Sequence, residues 1–121
     1  MGYTIARYGG FSSVFGFQLF NEVDTDTLDI IPASYHWHKE MASFVHTQDP
    51  HGRLVSESFG LAKGDPLLDD MTGFDITTTH DYRSHDLVPS VAKYNEAKAA
   101  LYRRPTFVGE FGDDNFGQEG V

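Results

Sequence analysis

The chain has 121 residues, of which 40% are hydrophobic and 14% aromatic, which predicts one folded domain over residues 1–121 and excludes a disordered chain. The formal net charge of −9 disfavours nucleic acid as a partner, because an acidic surface repels phosphate backbones. No apolar run approaches the roughly 20 residues that cross a bilayer, and the sequence shows no signal peptide, so we expect no membrane partner and assign no compartment.

The first half of the chain predicts helix, strand and helix in turn. Residues 4–8 fit the end of a helix that glycines close, and residues 14–20 form an almost continuous apolar run, typical of a strand covered on both faces. A helix is predicted over 33–47. Its inner face is assigned to Trp37, Met41, Phe44 and Val45, with Trp37 packing in the core rather than stacking on a sugar.

The second half continues the alternation of strands and helices. The predicted elements are a strand at 54–59, a helical turn at 66–71, a strand at 74–82, a helix at 86–103 and a strand at 105–111. In the long helix the inner stripe is assigned to Val91, Tyr94, Ala97 and Leu101. Strands joined by helical crossovers pair in parallel, so the sequence predicts an α/β fold, a half (β/α)8 barrel of four strands.

Two glutamates follow predicted strands directly. Glu22 comes after the first strand, and Glu110 lies at the end of the last one. The carboxyl ends of parallel strands share one edge, which is where barrel enzymes build their sites. Two converging carboxylates suit glycoside cleavage, in which one protonates the leaving oxygen and the other attacks the anomeric carbon. Spacing alone leaves open the alternative of two solvated surface glutamates.

Three sequence segments carry a resemblance to a known family. They read VFGFQLFNEVD at 14–24, THDY at 79–82 and PTFVGEFG at 105–112. In this order and strand context they resemble strands four, six and seven of clan A glycoside hydrolases, particularly the cellulase and mannanase-like families. The resemblance implies a retaining glycosidase that acts on β-linked sugars, with Glu22 as acid/base and Glu110 as nucleophile.

Three further residues are assigned to substrate binding. Asn21 is predicted to bond a sugar hydroxyl or, alternatively, to cap the loop after the strand. His80 presents a ring N–H to the substrate or to Glu110, the alternative being a structural histidine. Tyr82 donates its hydroxyl to Glu110 and holds that carboxylate ionised, or packs as a half-buried sheet aromatic.

No cofactor and no metal are expected. His36 and His38 point to different sides of their helix, and His36 with Glu40 is a weak pair by itself. The acidic clusters Asp24, Asp26 and Asp29 and Asp113 to Asn115 miss the calcium-loop pattern.

The expected partners are a carbohydrate substrate and a second copy of the chain. A half barrel leaves two strand edges and an inner face open, and a homodimer that joins the first strand of one copy to the last strand of the other closes both. Two other functions compete with hydrolysis: a carbohydrate-binding half barrel without turnover, and a structural fragment whose only activity is self-association.

Overall fold

The computed structural model describes residues 1–24, 30–82 and 86–112. Helices and short strands alternate along the chain, which confirms the α/β class. Their bounds are α1 Gly2–Tyr8, β1 Gly16–Gln18, α2 Ile30–Gln48, β2 Leu54–Ser56, α3 Pro66–Asp69, β3 Thr77–Asp81, α4 Leu87–Tyr102 and β4 Thr106–Phe111. Asp26, Asp29 and the polar tail from residue 113 lie outside the described residues. No helix in the described ranges combines the length and apolarity that a bilayer crossing requires.

The strands pair in parallel, as the crossovers predict, but in two separate sheets. β1 pairs with β2 from Gly16 opposite Leu54, and β3 pairs with β4 from Thr77 opposite Thr106. The predicted four-stranded sheet is therefore observed only as two separate parallel pairs of strands. The first two strands are also shorter than predicted, at three residues each.

Asp75, which lies two residues before β3, bonds β2 through both its backbone and its side chain. The N–H of Asp75 donates to the carbonyl of Val55 at 2.9 Å, while the carboxylate of Asp75 accepts the N–H of Val55 at 2.8 Å. The carboxylate thus takes the place that a backbone carbonyl would hold in a continuous ladder. This bond keeps the two sheets adjacent and satisfies a strand N–H that burial would otherwise leave unpaired.

The inner face of α2 is shifted from the predicted stripe. Among residues 32–48 of this helix, whose side chains are described, the fully buried ones are His38, Ala42 and Val45, whereas Trp37 is 43% exposed, so its assignment to the core is wrong. His38 is accommodated inside because Nδ1 donates to the carbonyl of Ser34 and Nε2 lies 2.8 Å from a carboxylate oxygen of Glu57. A paired histidine can therefore occupy a position that an apolar pattern assigns to a neighbour.

On α4 as well, a polar residue is buried where the sequence predicted apolar ones. Leu101 and Ala97, predicted to face inward, are exposed, and Lys98 is buried instead. The Lys98 ammonium donates to the carbonyl of Thr78 on β3 at 2.7 Å and lies 3.6 Å from the carboxylate of Asp69. Burial raises the pKa of Asp69 to about 6, although the positive charge of Lys98 opposes the shift.

Candidate active site

The structure brings four of the five predicted site residues together at one edge of the strands. His80 lies in β3 and Glu110 in β4, while Tyr82 directly follows β3 and Glu22 follows β1. The Nδ1 atom of His80 lies 3.1 Å from Oε1 of Glu22 and 3.7 Å from Oε2 of Glu110. Tyr82 donates its hydroxyl to Oε2 of Glu110 at 3.0 Å, as the sequence predicts.

Asn21 lies beside this group but faces other partners. Its side-chain carbonyl accepts from the amide of Gln18 at 3.0 Å and lies 3.4 Å from the hydroxyl of Ser58. These contacts fit the loop-capping role that the sequence left open. A bond from Asn21 to a sugar hydroxyl stays a prediction.

Glu22 occupies an unusual backbone conformation. Its φ of 49° is in the left-handed region, which costs a residue with a side chain about 1–2 kcal/mol. This turn is held by Ser58, which follows β2: the N–H of Glu22 donates to the hydroxyl of Ser58 at 2.9 Å, and the N–H of Val23 donates to the Ser58 carbonyl at 3.1 Å. Gln18 also donates to the Ser58 hydroxyl, at 2.9 Å. The strained turn therefore aims the Glu22 carboxylate toward β3.

Ser58 and Gln18 are functional candidates that sequence reasoning missed. Ser58 is completely buried and follows β2 at the same edge of the sheets as Glu22 and Glu110. Its position near the carboxyl end of the strand predicted over 54–59 was the available signal, since polar residues at that edge are candidates in any parallel fold. A serine hydroxyl has no distinctive motif, however, and its partners are distant in the sequence.

Glu57 stabilises the loop at Ser58 that holds Glu22 in place. Its carboxylate accepts the N–H of Ser58 and pairs with the buried ring of His38. Burial raises the pKa of Glu57, and the hydrogen bond and charge of His38 oppose that shift. The pair thus links helix α2 to the loop that fixes Glu22.

Gly109 positions Glu110 through a β-bulge. Val108 pairs with Thr79 and Glu110 pairs with His80, so Gly109 is the extra residue between them. Val108 and Phe111 face an apolar cleft against α4, whereas the bulge turns Glu110 toward the ring of His80. A Cβ on Gly109 would lie 2.7 Å from Nε2 of His80 and 2.8 Å from a methyl carbon of Thr78, so only glycine fits.

The resulting site combines a buried imidazole with two partly exposed carboxylates. His80 is 1% exposed, while the side chains of Glu22 and Glu110 are 23% and 39% exposed. One oxygen of each carboxylate and the His80 nitrogen lie within 4.8 Å of one another. Comparisons with protein-family models, curated proteins and solved structures gave no match to this chain. Two partly exposed carboxylates beside one buried imidazole form an arrangement suited to proton transfer and nucleophilic attack.

Proposed function

We propose that this chain is a glycoside hydrolase-like half barrel that hydrolyses O-glycosidic bonds of β-linked sugars with retention of configuration. The observation that carries the proposal is the approach of one Glu22 oxygen and one Glu110 oxygen to within 4.8 Å of each other. Retaining glycosidases hold their carboxyl groups about 5–5.5 Å apart, whereas inverting enzymes leave about 6.5–9.5 Å for a water molecule. A closest approach of the two oxygens below 4.8 Å is compatible with the shorter, retaining separation of the carboxyl groups.

The roles follow from the contacts of each carboxylate. Glu110, which accepts the Tyr82 hydroxyl, attacks the anomeric carbon while the bond to the leaving oxygen breaks. Glu22 gives its proton to that oxygen. In the second step Glu22 takes a proton from water, the water oxygen attacks the anomeric carbon, and the bond to Glu110 breaks, which restores the β configuration. His80 and Tyr82 hold the two carboxylates in place, and direct bonds from Asn21, His80 and Tyr82 to the sugar stay predictions.

Two features support the half-barrel form of the fold. β1 with β2 and β3 with β4 pair in parallel and in chain order, and the Asp75 bridge to Val55 keeps the two pairs adjacent. A helix follows each of the first three strands. This arrangement supports the proposal that the four strands correspond to strands four to seven of a clan A barrel.

A homodimer would complete that barrel. Phe15 and Phe107 are 63% and 50% exposed, and their rings lie 6.1 Å apart. Such a patch beside strand edges favours association, here of β1 in one copy with β4 in the other.

Light scattering should give twice the 13.5 kDa chain mass. Phe107→Ser should lower the dimer fraction and Leu67→Ser, a change of similar exposure on α3, should not; a wild-type monomer with a cooperative melt contradicts the dimer.

Hydrolysis is tested with nitrophenyl β-glycosides and proton NMR of the first anomer released. Wild type should release the β anomer, Glu110→Gln should be inactive, and Glu96→Gln on the exposed side of α4 should match wild type. Release of the α anomer, or activity in Glu110→Gln, contradicts the mechanism. Saturable binding of the same sugars without turnover would identify a carbohydrate-binding half barrel, and neither binding nor turnover would leave a self-associating fragment.

A further inference from the structure

The three side chains at the centre of the site also form a set of metal-ligand atoms. Among the described residues, Glu22, His80 and Glu110 are the one group of three such side chains close enough to share an ion. They come from three separate strands or strand ends. The expectation of no metal rested on residues close together in the sequence, whereas these three ligands meet only in the fold.

The two distances from His80 within this group are close to those around a small tetrahedral ion. Bonds of about 2.0–2.2 Å to zinc place neighbouring tetrahedral ligands about 3.3–3.6 Å apart. The His80 nitrogen lies 3.1 Å from the Glu22 oxygen and 3.7 Å from the Glu110 oxygen, on either side of that range. The two carboxylate oxygens, within 4.8 Å of each other, need to approach more closely. Both glutamates are partly exposed, so a rotation of either side chain can bring them together.

The charges favour a cation at this position. Two carboxylates face one imidazole, which contributes at most one positive charge, in a chain whose formal net charge is −9. A divalent ion would satisfy both carboxylates at once. Since one ligand is an imidazole nitrogen, the site suits zinc and similar transition metals better than calcium or magnesium, which prefer oxygen ligands alone.

The surroundings hold the ligands in place before an ion arrives. The His80 ring is buried against Gly109, so its nitrogen has a fixed position. The Tyr82 hydroxyl bonds the ligating oxygen of Glu110, and Ser58 fixes the backbone of Glu22. Such outer contacts orient first ligands in metal sites.

We propose that Glu22, His80 and Glu110 bind one divalent transition-metal cation of the zinc class, through Nδ1 of His80 and one oxygen of each carboxylate. Three protein ligands leave a fourth position open to water. The binding rests on the geometry alone. Its consequence rests on the proposed function: a bound ion occupies both catalytic carboxylates, so zinc inhibits glycoside hydrolysis.

The test is calorimetric titration of zinc chloride into the untagged full chain after removal of metals with EDTA. We expect one saturable site per chain. Glu110→Gln and His80→Gln should each weaken binding at least tenfold, with folding checked by circular dichroism. His46→Gln is the matched control, because His46 forms a comparable histidine–carboxylate pair with Asp75 at 3.3 Å on the surface, and it should leave binding unchanged.

The outcomes separate this proposal from the proposed function. Zinc binding that Glu110→Gln abolishes supports the metal site even if no glycoside is hydrolysed. The metal site is overturned by a folded wild type that shows no saturable binding, or by binding that neither Glu110→Gln nor His80→Gln weakens. Hydrolysis that continues unchanged when the zinc site is saturated would also overturn it, while leaving the glycosidase assignment intact.

Discussion

The two strand pairs present their carboxylates in different ways. β1 and β2 share only three paired residues, and Glu22 lies beyond that ladder on a left-handed turn held by Ser58. β3 and β4 share a longer ladder, and Glu110 lies within it, aimed by the bulge at Gly109. The short pair thus depends on side-chain hydrogen bonds for its geometry, whereas the long pair depends on backbone pairing. Substitutions should therefore affect the two carboxylates unequally.

The largest expected effect is a loss of stability at Lys98 on α4, which bonds β3 of the longer β3–β4 pair. Lys98→Met leaves the Asp69 carboxylate buried without its counter-charge, and breaking a buried pair in this way costs about 3–5 kcal/mol. Urea unfolding measures the loss at pH 7. Lys93→Met, on the exposed side of α4, should change stability by less than about 0.5 kcal/mol. Equal stabilities of the two variants would show that Lys98 contributes packing alone.

Tyr82→Phe tests how the long pair holds Glu110. Loss of a hydrogen bond to a charged group costs about 1.5–3 kcal/mol, so kcat/KM for a nitrophenyl glycoside should fall by about one to two orders of magnitude. Steady-state kinetics measure this loss. Tyr35→Phe, a partly buried tyrosine on α2 that packs against the core, is the control and should keep wild-type kinetics. An unchanged rate in Tyr82→Phe would make Tyr82 a packing residue.

Ser58→Ala tests the side-chain support of the short pair. The variant removes the hydroxyl that accepts the Glu22 and Gln18 donors, which should cost about 1–3 kcal/mol in unfolding free energy. Because Glu22 is then less well placed to donate its proton, hydrolysis of poor leaving groups should slow more than that of dinitrophenyl glycosides. Ser43→Ala, exposed on α2, is the control. Equal slowing for all leaving groups would mean that Ser58 acts on stability and not on Glu22.

A smaller effect is the pH dependence that Asp69 confers. The native pKa of about 6 lies above the ordinary 3.8, so the native state binds more protons than the unfolded state between about pH 4 and 6. Stability should therefore fall as pH rises through this window, by up to about 1.4 kcal/mol per pH unit from this group. Unfolding of Asp69→Asn should show a flatter profile. The exposed neighbour serves as control, since Asp70→Asn should keep the wild-type slope; an unaltered slope in Asp69→Asn would contradict the assignment.

The sequence predicted the elements better than the way they are joined. The helix predicted over 86–103 is Leu87–Tyr102, and the strand predicted over 105–111 is Thr106–Phe111. Their periodic or apolar patterns are long enough to mark them clearly. The strand predicted over 14–20 contracts to Gly16–Gln18 because side chains replace part of its pairing: Arg53, for instance, donates to the carbonyl of Val14. Such long-range bonds leave no local pattern.

For the candidate site, the sequence identified the two carboxylates but not all the residues that position them. The strand-end rule selected Glu22 and Glu110, and the structure places both beside His80. The bulge at Gly109, the strain at Glu22 and the hydroxyl of Ser58 were not predicted, because each depends on residues that meet only after folding. The same reason helps to explain why His38 and Lys98 were not assigned to the interior: each is paired inside with a carboxylate that is distant in the sequence.

The most direct test of the central claim is azide rescue of the two carboxylate variants on an activated aryl β-glycoside. Glu22→Ala should still form the glycosyl-enzyme with a good leaving group, and azide should then restore turnover and yield a β-glycosyl azide. Glu110→Ala should be inactive, and azide should give no product of retained configuration. An α-glycosyl azide from Glu22→Ala, or wild-type activity in Glu110→Ala, would contradict the assignment of Glu22 as acid/base and Glu110 as nucleophile.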